Sequence, residues 1–259
     1  MSTAAFAADM PIMPPPAYAP PPPQEFSGWY LRGDVGMTNQ SIKSLNNPDP
    51  ANVLFTQTGV GFDSSPLFDL GVGYQFNNWF RVDVTGQYRG RANFHGSQFT
   101  TAFAGSALVD NYTGSKSETV VMANGYVDLG TWWCVTPFIG AGIGTSYNRI
   151  SGFRDDGVIY NGGVLNNSVT FAGDAGKWNF AWALHTGLAY KVSPNVTVEL
   201  AYSYMNLGDA TTGANTNFAG SAVPQNPWTM HDITSHDLKL GVRWNFDSPQ
   251  PVMPLIRKG

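Results

Sequence analysis

The stretch LKLGVRWNF, residues 238–246, decides how the rest of the chain is interpreted. Successive side chains of a β-strand point to opposite faces, so the two faces of this stretch can be read separately. One face carries Leu238, Leu240, Val242, Trp244 and Phe246, and the other carries Lys239, Gly241, Arg243 and Asn245. A strand with one apolar face and one charged face must lie between two very different surroundings.

The composition narrows the class of protein. The chain has 259 residues and a net charge of -4, so no basic surface suggests a nucleic-acid partner. Charged residues make up only 12% of the chain, about half the usual share of a soluble domain. No apolar run approaches the roughly 18 residues that a membrane helix needs. The apolar residues stand instead at every second position, which predicts strands.

The alternation of the opening stretch recurs in seven earlier segments, near residues 29–38, 68–76, 80–89, 118–129, 139–147, 180–190 and 196–204. Short connections, such as VSPN at 192–195, follow the second, fourth and sixth segments, whereas long polar stretches follow the odd-numbered ones. Long structureless loops are unusual in a compact domain, but they are typical of one end of an outer-membrane barrel. The sequence predicts an all-β fold, an eight-stranded antiparallel up-and-down transmembrane β-barrel with short periplasmic turns and long extracellular loops.

Aromatic residues collect near both ends of the predicted strands, where the two interfaces of a bilayer select amphipathic rings. The set at the short-turn end is Trp29, Phe76, Trp79, Trp132, Trp133, Phe138, Tyr190, Trp244 and Phe246. A looser set near the loops is Tyr88, Tyr147, Trp178, Phe180 and Tyr204. The apolar faces are therefore expected to meet lipid.

The polar faces are then expected to look into the barrel, where acids and bases can pair. A buried charge without a partner is costly, and the interior of an eight-stranded barrel is just filled by side chains. The predicted lumen charge network is Arg32, Asp34, Asp69, Arg81, Asp83, Arg89, Asp128, Glu199, Asp237, Lys239 and Arg243. We expect a plugged lumen rather than a wide pore.

The N-terminal residues predict export followed by a spacer. Residues 5–7 (Ala-Phe-Ala) form a small-x-small signal-peptidase pattern, although the basic and apolar parts of a signal are missing. We expect the chain to begin inside a longer signal, and a random Ala-rich tail is the alternative. The proline-rich residues 11–23 predict an extended arm. The expected domains are a residual signal end at 1–7, a periplasmic arm at 8–26, the barrel at 27–246 and a short periplasmic tail at 247–259.

The stretch KLGVRWNF at 239–246 resembles the terminal-strand signal of outer-membrane barrels, a polar residue, a glycine and two aromatic residues at fixed spacing. The resemblance implies recognition by the barrel-assembly machinery through Lys239, Gly241, Trp244 and Phe246. This chain departs from the usual pattern because residues 247–259 follow the signal.

A wider resemblance rests on SGWYLRGDVG (27–36), NGYVDLGTWW (124–133), TPFIGAGIG (136–144), FAWALHTGLAYKVSPNVTVELAYSYMNLGD (180–209) and SHDLKLGVRW (235–244). These segments are similar to the opacity-protein type of surface barrel, in particular to the major outer-membrane proteins of Rhizobiales. The resemblance covers about residues 26–246 and implies the outer membrane of a Gram-negative bacterium, with its lipid and lipopolysaccharide as surroundings. Some members of that group begin with Ala-Asp and are linked to peptidoglycan through the alanine amine. Ala8 and Asp9 match, which makes a covalent peptidoglycan link there a hypothesis.

No residue pattern predicts an active site, a cofactor or a metal. Ser235, His236 and Asp237 in HDITSHD (231–237) cannot form a triad among themselves, because neighbours on a strand face opposite ways. We expect a structural surface barrel, not an enzyme, that maintains the integrity of the envelope. The alternatives are a small-solute porin or transport barrel, or a surface protein that binds a ligand such as haem or a host. A soluble ligand-carrying barrel is disfavoured because it would place apolar residues inside. An oligomer or a further surface partner is compatible with every one of these readings.

Overall fold

The computed structural model describes residues 27–48, 54–101, 106–223 and 227–246. These residues form twelve antiparallel strands. They are β1 Gly28–Ser41, β2 Ser44–Asn46, β3 Thr56–Phe62, β4 Ser65–Gln75, β5 Phe80–Thr100, β6 Ser106–Asp128, β7 Val135–Asn161, β8 Val164–Ala172, β9 Ala175–Lys191, β10 Val196–Thr211, β11 Asn215–Asn217 and β12 Thr229–Asn245. No apolar helix long enough to cross a bilayer occurs in this part of the chain.

Eight long strands pair in a closed ring. Each of them pairs with the next long strand along the chain, in the order β1, β4, β5, β6, β7, β9, β10, β12. The last strand, β12, then pairs with β1 over Tyr30↔Asn245 to Ser41↔Thr234. Closure satisfies the backbone groups of both edges, which a bilayer requires because it offers no water to an open edge. The predicted all-β, antiparallel barrel architecture is confirmed, and four short strands extend it on the long-hairpin side.

The two faces of the strands have the orientation that the sequence predicts. Leu240 is 55% exposed on the outer wall, whereas its neighbour Lys239 is 4% exposed and points into the barrel. The same contrast separates Leu70 from Asp69 on β4. Apolar side chains on the outside are stable only when hydrocarbon, not water, surrounds the barrel.

The aromatic rings of the two predicted belts lie on the outer wall, with one exception. The prediction that Phe138 belongs to a belt is wrong. Its ring is buried inside the barrel, with its centre 5.9 Å from that of the Tyr126 ring. The fifth predicted segment starts its outward set at Ile139, which is half exposed. Phe138 therefore belongs to the other face.

The prediction of long structureless loops is wrong for much of their length. Above Tyr88, strand β5 continues to Thr100 and pairs with β6 as far as Thr100↔Leu108, and β7 continues into a hairpin with β8. A β-bulge between Arg89 and Ala92 shifts the register on β5. Because a bulge adds one residue, it reverses which positions face inward and hides the period-two pattern from the sequence.

The interior is filled in two layers. Next to the short turns lie charged and polar side chains, and above them, inside the hairpins, lies an apolar cluster. We call this cluster the apolar layer, and its members include Phe62, Phe94, Tyr112, Phe153, Met205, Leu207, Trp228, Met230 and Ile233. The sequence did not predict it, since its residues fall mostly in the stretches that were expected to be loops.

Candidate functional site

The polar lumen is the most chemically distinctive part of the protein. All eleven side chains of the predicted charge network point into the barrel, and none of these residues is more than 6% exposed. They come from six different strands, so the closed ring brings together residues that are far apart in the chain. The strands hold them rigidly because each backbone is paired on both sides.

Glu199 lies at the centre of the lower part of the network. Its carboxylate is 3.6 Å from Arg32, 3.5 Å from Arg81 and 3.4 Å from Arg243. Arg81 also pairs with Asp128 at 3.3 Å. One acid thus compensates guanidinium groups from three strands. Among the ion pairs of the described residues it is the only acid that contacts Arg243, so its loss would leave that buried charge without an acidic partner.

Arg32, one of the three arginines that contact Glu199, is also held by other side chains. It donates to both oxygens of Asp34 at 3.0 Å, to Asp83 at 3.2 Å and to the Tyr126 hydroxyl at 3.1 Å. The hydroxyl of Tyr30 donates to Asp83 at 3.1 Å. Such charge-assisted bonds are stronger than neutral ones and fix each side chain in one place.

Aromatic rings close the lower network. The Arg81 guanidinium lies 4.3 Å from the ring centre of Tyr126 and 4.8 Å from that of Phe138. A cation over a ring face is attracted by the ring quadrupole, more so where water is excluded. The rings therefore occupy space in the lumen and stabilise the charges beside them.

A second group of charges lies higher in the lumen, below the apolar layer. Arg89 pairs with Asp237 on the far side of the barrel and contacts Glu118 at 3.5 Å. Lys239 reaches Asp69 at 3.5 Å. Lys116, fully buried, pairs with Glu118 and donates to Gln40 at 2.7 Å. The sequence prediction missed Lys116 and Glu118 as members of the network, although Glu118 stands on the inward face of its predicted strand and could have been found there.

Small cavities lie at both mouths of the barrel, with the two networks and the apolar layer between them. The cavity at the short-turn mouth has a volume of about 130 Å³ and is bordered by Asp128, Lys191 and Arg243. The cavity at the hairpin mouth has a volume of about 260 Å³ and is bordered by Asp110, Asp155 and Trp228. Side chains fill the lumen between these mouths, as an eight-stranded barrel allows.

The hairpin mouth is acidic. Gln98 donates to Asp110 at 3.0 Å, and burial raises the pKa of the Asp110 carboxyl. Burial, and then the charges of Asp110 and Asp156, raise the pKa of Asp155 to about 8. Near neutral pH these carboxyls resist being charged together, because like charges in a poorly solvated place repel.

Comparison with known proteins agrees with this architecture. The family model of the outer membrane protein β-barrel domain matches residues 5–246. The chain belongs to this family. An uncharacterized protein of Brucella abortus is 31% identical over 226 residues, which cover 79% of this chain and 76% of the relative. The outer membrane protein PagN of Salmonella typhimurium is 29% identical, over 85% of this chain and 90% of its own length. An adhesin candidate of Rickettsia prowazekii is 30% identical, over 83% of this chain and 86% of its own length.

This outer membrane β-barrel therefore lies in the outer membrane of a Gram-negative cell, and the Brucella relative confirms the resemblance to Rhizobiales proteins. In such barrels the short turns are periplasmic and the long hairpins extracellular. The apolar layer and the acidic mouth accordingly lie on the outer side, and the lower network faces the periplasm.

The structure gives a physical role to the glycine of the predicted assembly signal in the β-barrel. Gly241 faces the lumen opposite Asp34, and a Cβ at position 241 would overlap the Asp34 carboxylate that holds Arg32. Trp244 and Phe246 lie on the outer wall with ring centres 6.1 Å apart, and Lys239 points inward. Recognition of these four residues by the assembly machinery stays a prediction.

The stretch that the sequence analysis rejected as a catalytic triad does not form one in the β-barrel. Ser235 is fully buried and donates to Asp237, whereas His236 is exposed on the outer wall and bonds to the Tyr202 hydroxyl at 2.6 Å. Ser235 and His236 thus lie on opposite sides of the wall. Ala8 and Asp9 lie outside the described residues. Across the ranges that the structure describes, no group of three or more His, Cys, Asp or Glu residues could hold a metal ion.

Proposed function

We propose that this protein is a non-conducting, non-enzymatic structural barrel that reinforces the outer membrane and presents its long hairpins outside the cell. The observation that carries the proposal is the filled lumen. The network around Glu199 and the apolar layer occupy the interior between two small end cavities. A barrel filled in this way offers a rigid wall rather than a path for solutes.

Conductance across a planar lipid bilayer tests this function. The folded protein should give little steady current, whereas a general porin inserted in the same bilayer should give open-channel steps. A small-solute porin, the alternative function, would show reproducible steps of its own. Such steps from the wild-type chain would contradict the structural proposal.

We also propose that the barrel is tethered to the cell wall through Ala8 and Asp9. The support is the match of this dipeptide to wall-linked relatives in the resembling group and the proline-rich stretch of residues 11–23 behind it. Envelope should be digested with a muramidase and the N-terminal peptides analysed by mass spectrometry. Peptides whose Ala8 amine carries a muropeptide support the tether. A free Ala8 amine in every molecule would exclude it and leave the barrel proposal intact.

A second candidate function, attachment to another cell, is favoured by exposed apolar side chains on the extracellular hairpins. Val164, Leu165 and Phe218 are 57%, 68% and 86% exposed, and they lie beyond the upper aromatic belt. Exposed apolar residues of this kind commonly mark a contact surface. The Rickettsia relative, which bears the name of an adhesin, is consistent with such a surface.

Cell-binding assays separate the two candidates. For an adhesin, L165S and F218S should each reduce the binding of expressing bacteria to host cells. V192S is the matched control, because Val192 is 58% exposed but lies at the periplasmic turn. Unchanged binding in all three variants would contradict the adhesin function and leave the structural function as the remaining candidate.

A further inference from the structure

The outer wall carries a basic depression immediately above the upper aromatic belt. Its volume is about 270 Å³, and its lining includes Arg91, Arg149, Tyr88, Tyr147 and three hydroxyl residues, Ser117, Thr119 and Ser151. We propose that this depression binds a phosphate group of a phosphorylated glycolipid in the outer leaflet. The inference rests on the outer-membrane location of the barrel and not on its proposed structural role.

Strand register places the depression at a defined height. Tyr88, Thr119, Tyr147 and Trp178 are successive partners across β5, β6, β7 and β9, so they form one row on the outer wall at right angles to the strands. Aromatic residues in such rows lie at the level of the lipid headgroups. The next row upward contains Ser117 and Arg149, which are direct partners. The arginines therefore stand where headgroup phosphates of the outer leaflet are found.

The bulge on β5 is what brings the second arginine to this row. Arg89 and Ala92 both point inward, and the two residues between them face the single residue Ser117 of β6. Without the extra residue, Arg91 would continue the inward set of Arg89. The bulge turns it outward beside Arg149, which is a common use of bulges.

The charges of the depression favour an anion. Within the described part of the chain the Arg91 guanidinium has no hydrogen bond or ion pair, and Arg149 shares its charge with Asp174 at 3.2 Å. Glu118 also borders the depression, but its side chain is buried in the lumen with Lys116. Two guanidinium groups with tyrosine, serine and threonine hydroxyls match the oxygens of a phosphate, to which arginine binds in a bidentate manner.

The occupant is a lipid rather than a free ion because the depression is continuous with the lipid-facing wall. Tyr88 and Tyr147 of the aromatic belt line the depression, and the Trp178 ring on the lipid-facing wall lies 5.0 Å from that of Tyr147. A glycolipid can place its phosphate between the arginines and its acyl chains along these rings. A soluble phosphate would contact the arginines and hydroxyl groups but not the aromatic rings below them.

Native mass spectrometry of the full chain in detergent, with diphosphoryl lipid A as the probe, tests the site. At about 1 kcal/mol per surface arginine, R91Q and R149Q should each weaken lipid binding by about fivefold, and the double variant by more. R154Q is the matched control, because Arg154 is similarly exposed and ion-paired but lies higher on β7. Heat-modifiable gel migration shows that each variant is folded.

Two further arms identify the ligand. Dephosphorylated lipid A should bind the wild type about as weakly as diphosphoryl lipid A binds the double variant, and inorganic phosphate should not displace the lipid. Equal binding of diphosphoryl lipid A by wild type and double variant would overturn the proposal. So would displacement by inorganic phosphate, which would indicate a site for free anions.

Discussion

Glu199 compensates three arginines from three strands, and no other acid contacts Arg243 among the ion pairs of the described residues. Of the neighbouring acids, Asp34 and Asp83 pair with Arg32, and Asp128 pairs with Arg81. A single carboxylate thus links β1, β5, β10 and β12. Removal of one member of a buried ion pair is costly because its partners keep their charges.

We therefore expect E199Q to destabilise the barrel by about 3–5 kcal/mol, the range for breaking a buried pair. The measurement is the urea midpoint of unfolding in lipid vesicles, followed by gel migration. D232N is the control, since Asp232 and its partner Lys43 are 53% and 75% exposed and such surface pairs contribute about 1 kcal/mol or less. Equal midpoints for E199Q and wild type would contradict a central role for Glu199.

Asp155 gives a prediction about pH. Its folded-state pKa of about 8 is above its ordinary value, so the folded hairpin holds a proton that the unfolded chain has released. Stability of the hairpin mouth therefore falls as the pH rises from about 4 to about 8, and the protonated form's advantage is gone above 8.

Amide hydrogen exchange in β6–β8 measures this effect. Once rates are corrected for intrinsic pH dependence, protection should be lower at pH 9 than at pH 6 in the wild type. In D155N it should change much less, because that side chain is neutral at both values. Identical pH dependence in the two proteins would show that Asp155 is not the responsible group.

At the scale of elements, the extracellular hairpins are extensions of the barrel and not separate loops. The apolar layer stabilises them from within: Phe153 stacks on Phe94 at 5.9 Å and on Tyr112 at 5.8 Å, and Trp228 lies 4.9 Å from Tyr112. These rings come from three strands and one connecting segment. The outer faces of the hairpins are in water, so the hairpins need this inner packing in place of lipid.

F153A should therefore loosen the hairpins without dissolving the membrane part of the barrel. Truncation of a buried phenylalanine costs about 3–5 kcal/mol, and here the loss is local. Hydrogen exchange should increase in the upper halves of β5, β6 and β7 and stay unchanged in residues 29–37 and 236–245. F218A, at a ring that is 86% exposed, should change neither region. Uniform loosening of all strands would contradict the two-layer description.

The bulges explain how much of these elements the sequence could predict. Between the aromatic belts, lipid outside and charges inside impose strict alternation, so the sequence indicates which residues of the eight segments face inward. Above the belts that constraint ends, and register shifts at Arg89/Ala92 and Thr113/Ser115 interrupt the alternation. The inward positions of Phe94 on β5 and Phe153 on β7 were missed for this reason. Strand β6 keeps its alternation, and Tyr112 and Lys116 were missed because that stretch was expected to be a loop. Partners such as Arg89 and Asp237 could not be paired from sequence either, because ring closure decides which strands face each other.

At the scale of the whole molecule, the arrangement is that of a water-soluble domain with its faces exchanged. Between the aromatic belts, large apolar residues cover the wall, while eleven charges predicted from sequence and the additional pair Lys116–Glu118 lie inside. Among the tryptophans, Trp244 is 54% exposed on the wall, whereas Trp228 is 2% exposed inside the hairpins.

Quenching by brominated lipids distinguishes these two environments. In vesicles with bromine on the acyl chains, W244F should remove emission that the lipid quenches, and W228F should remove emission that it does not. Both residues are replaced by an aromatic ring of similar character, so the pair serves as its own control. Strong quenching that disappears only in W228F would place the apolar layer against lipid and refute the orientation.

The pairing of β12 with β1 has a consequence for biosynthesis. Tyr30 meets Asn245, and Ser41 meets Thr234, so the seam of the cylinder joins the earliest described residues to the latest. The wall cannot be sealed until nearly the whole polypeptide has left the ribosome and crossed to the periplasm. Until then the backbone N–H and C=O groups along both edges of the sheet lack strand partners. Strand β12 completes the seam, so a signal in β12 that the chain is ready for insertion would act only at the end of synthesis.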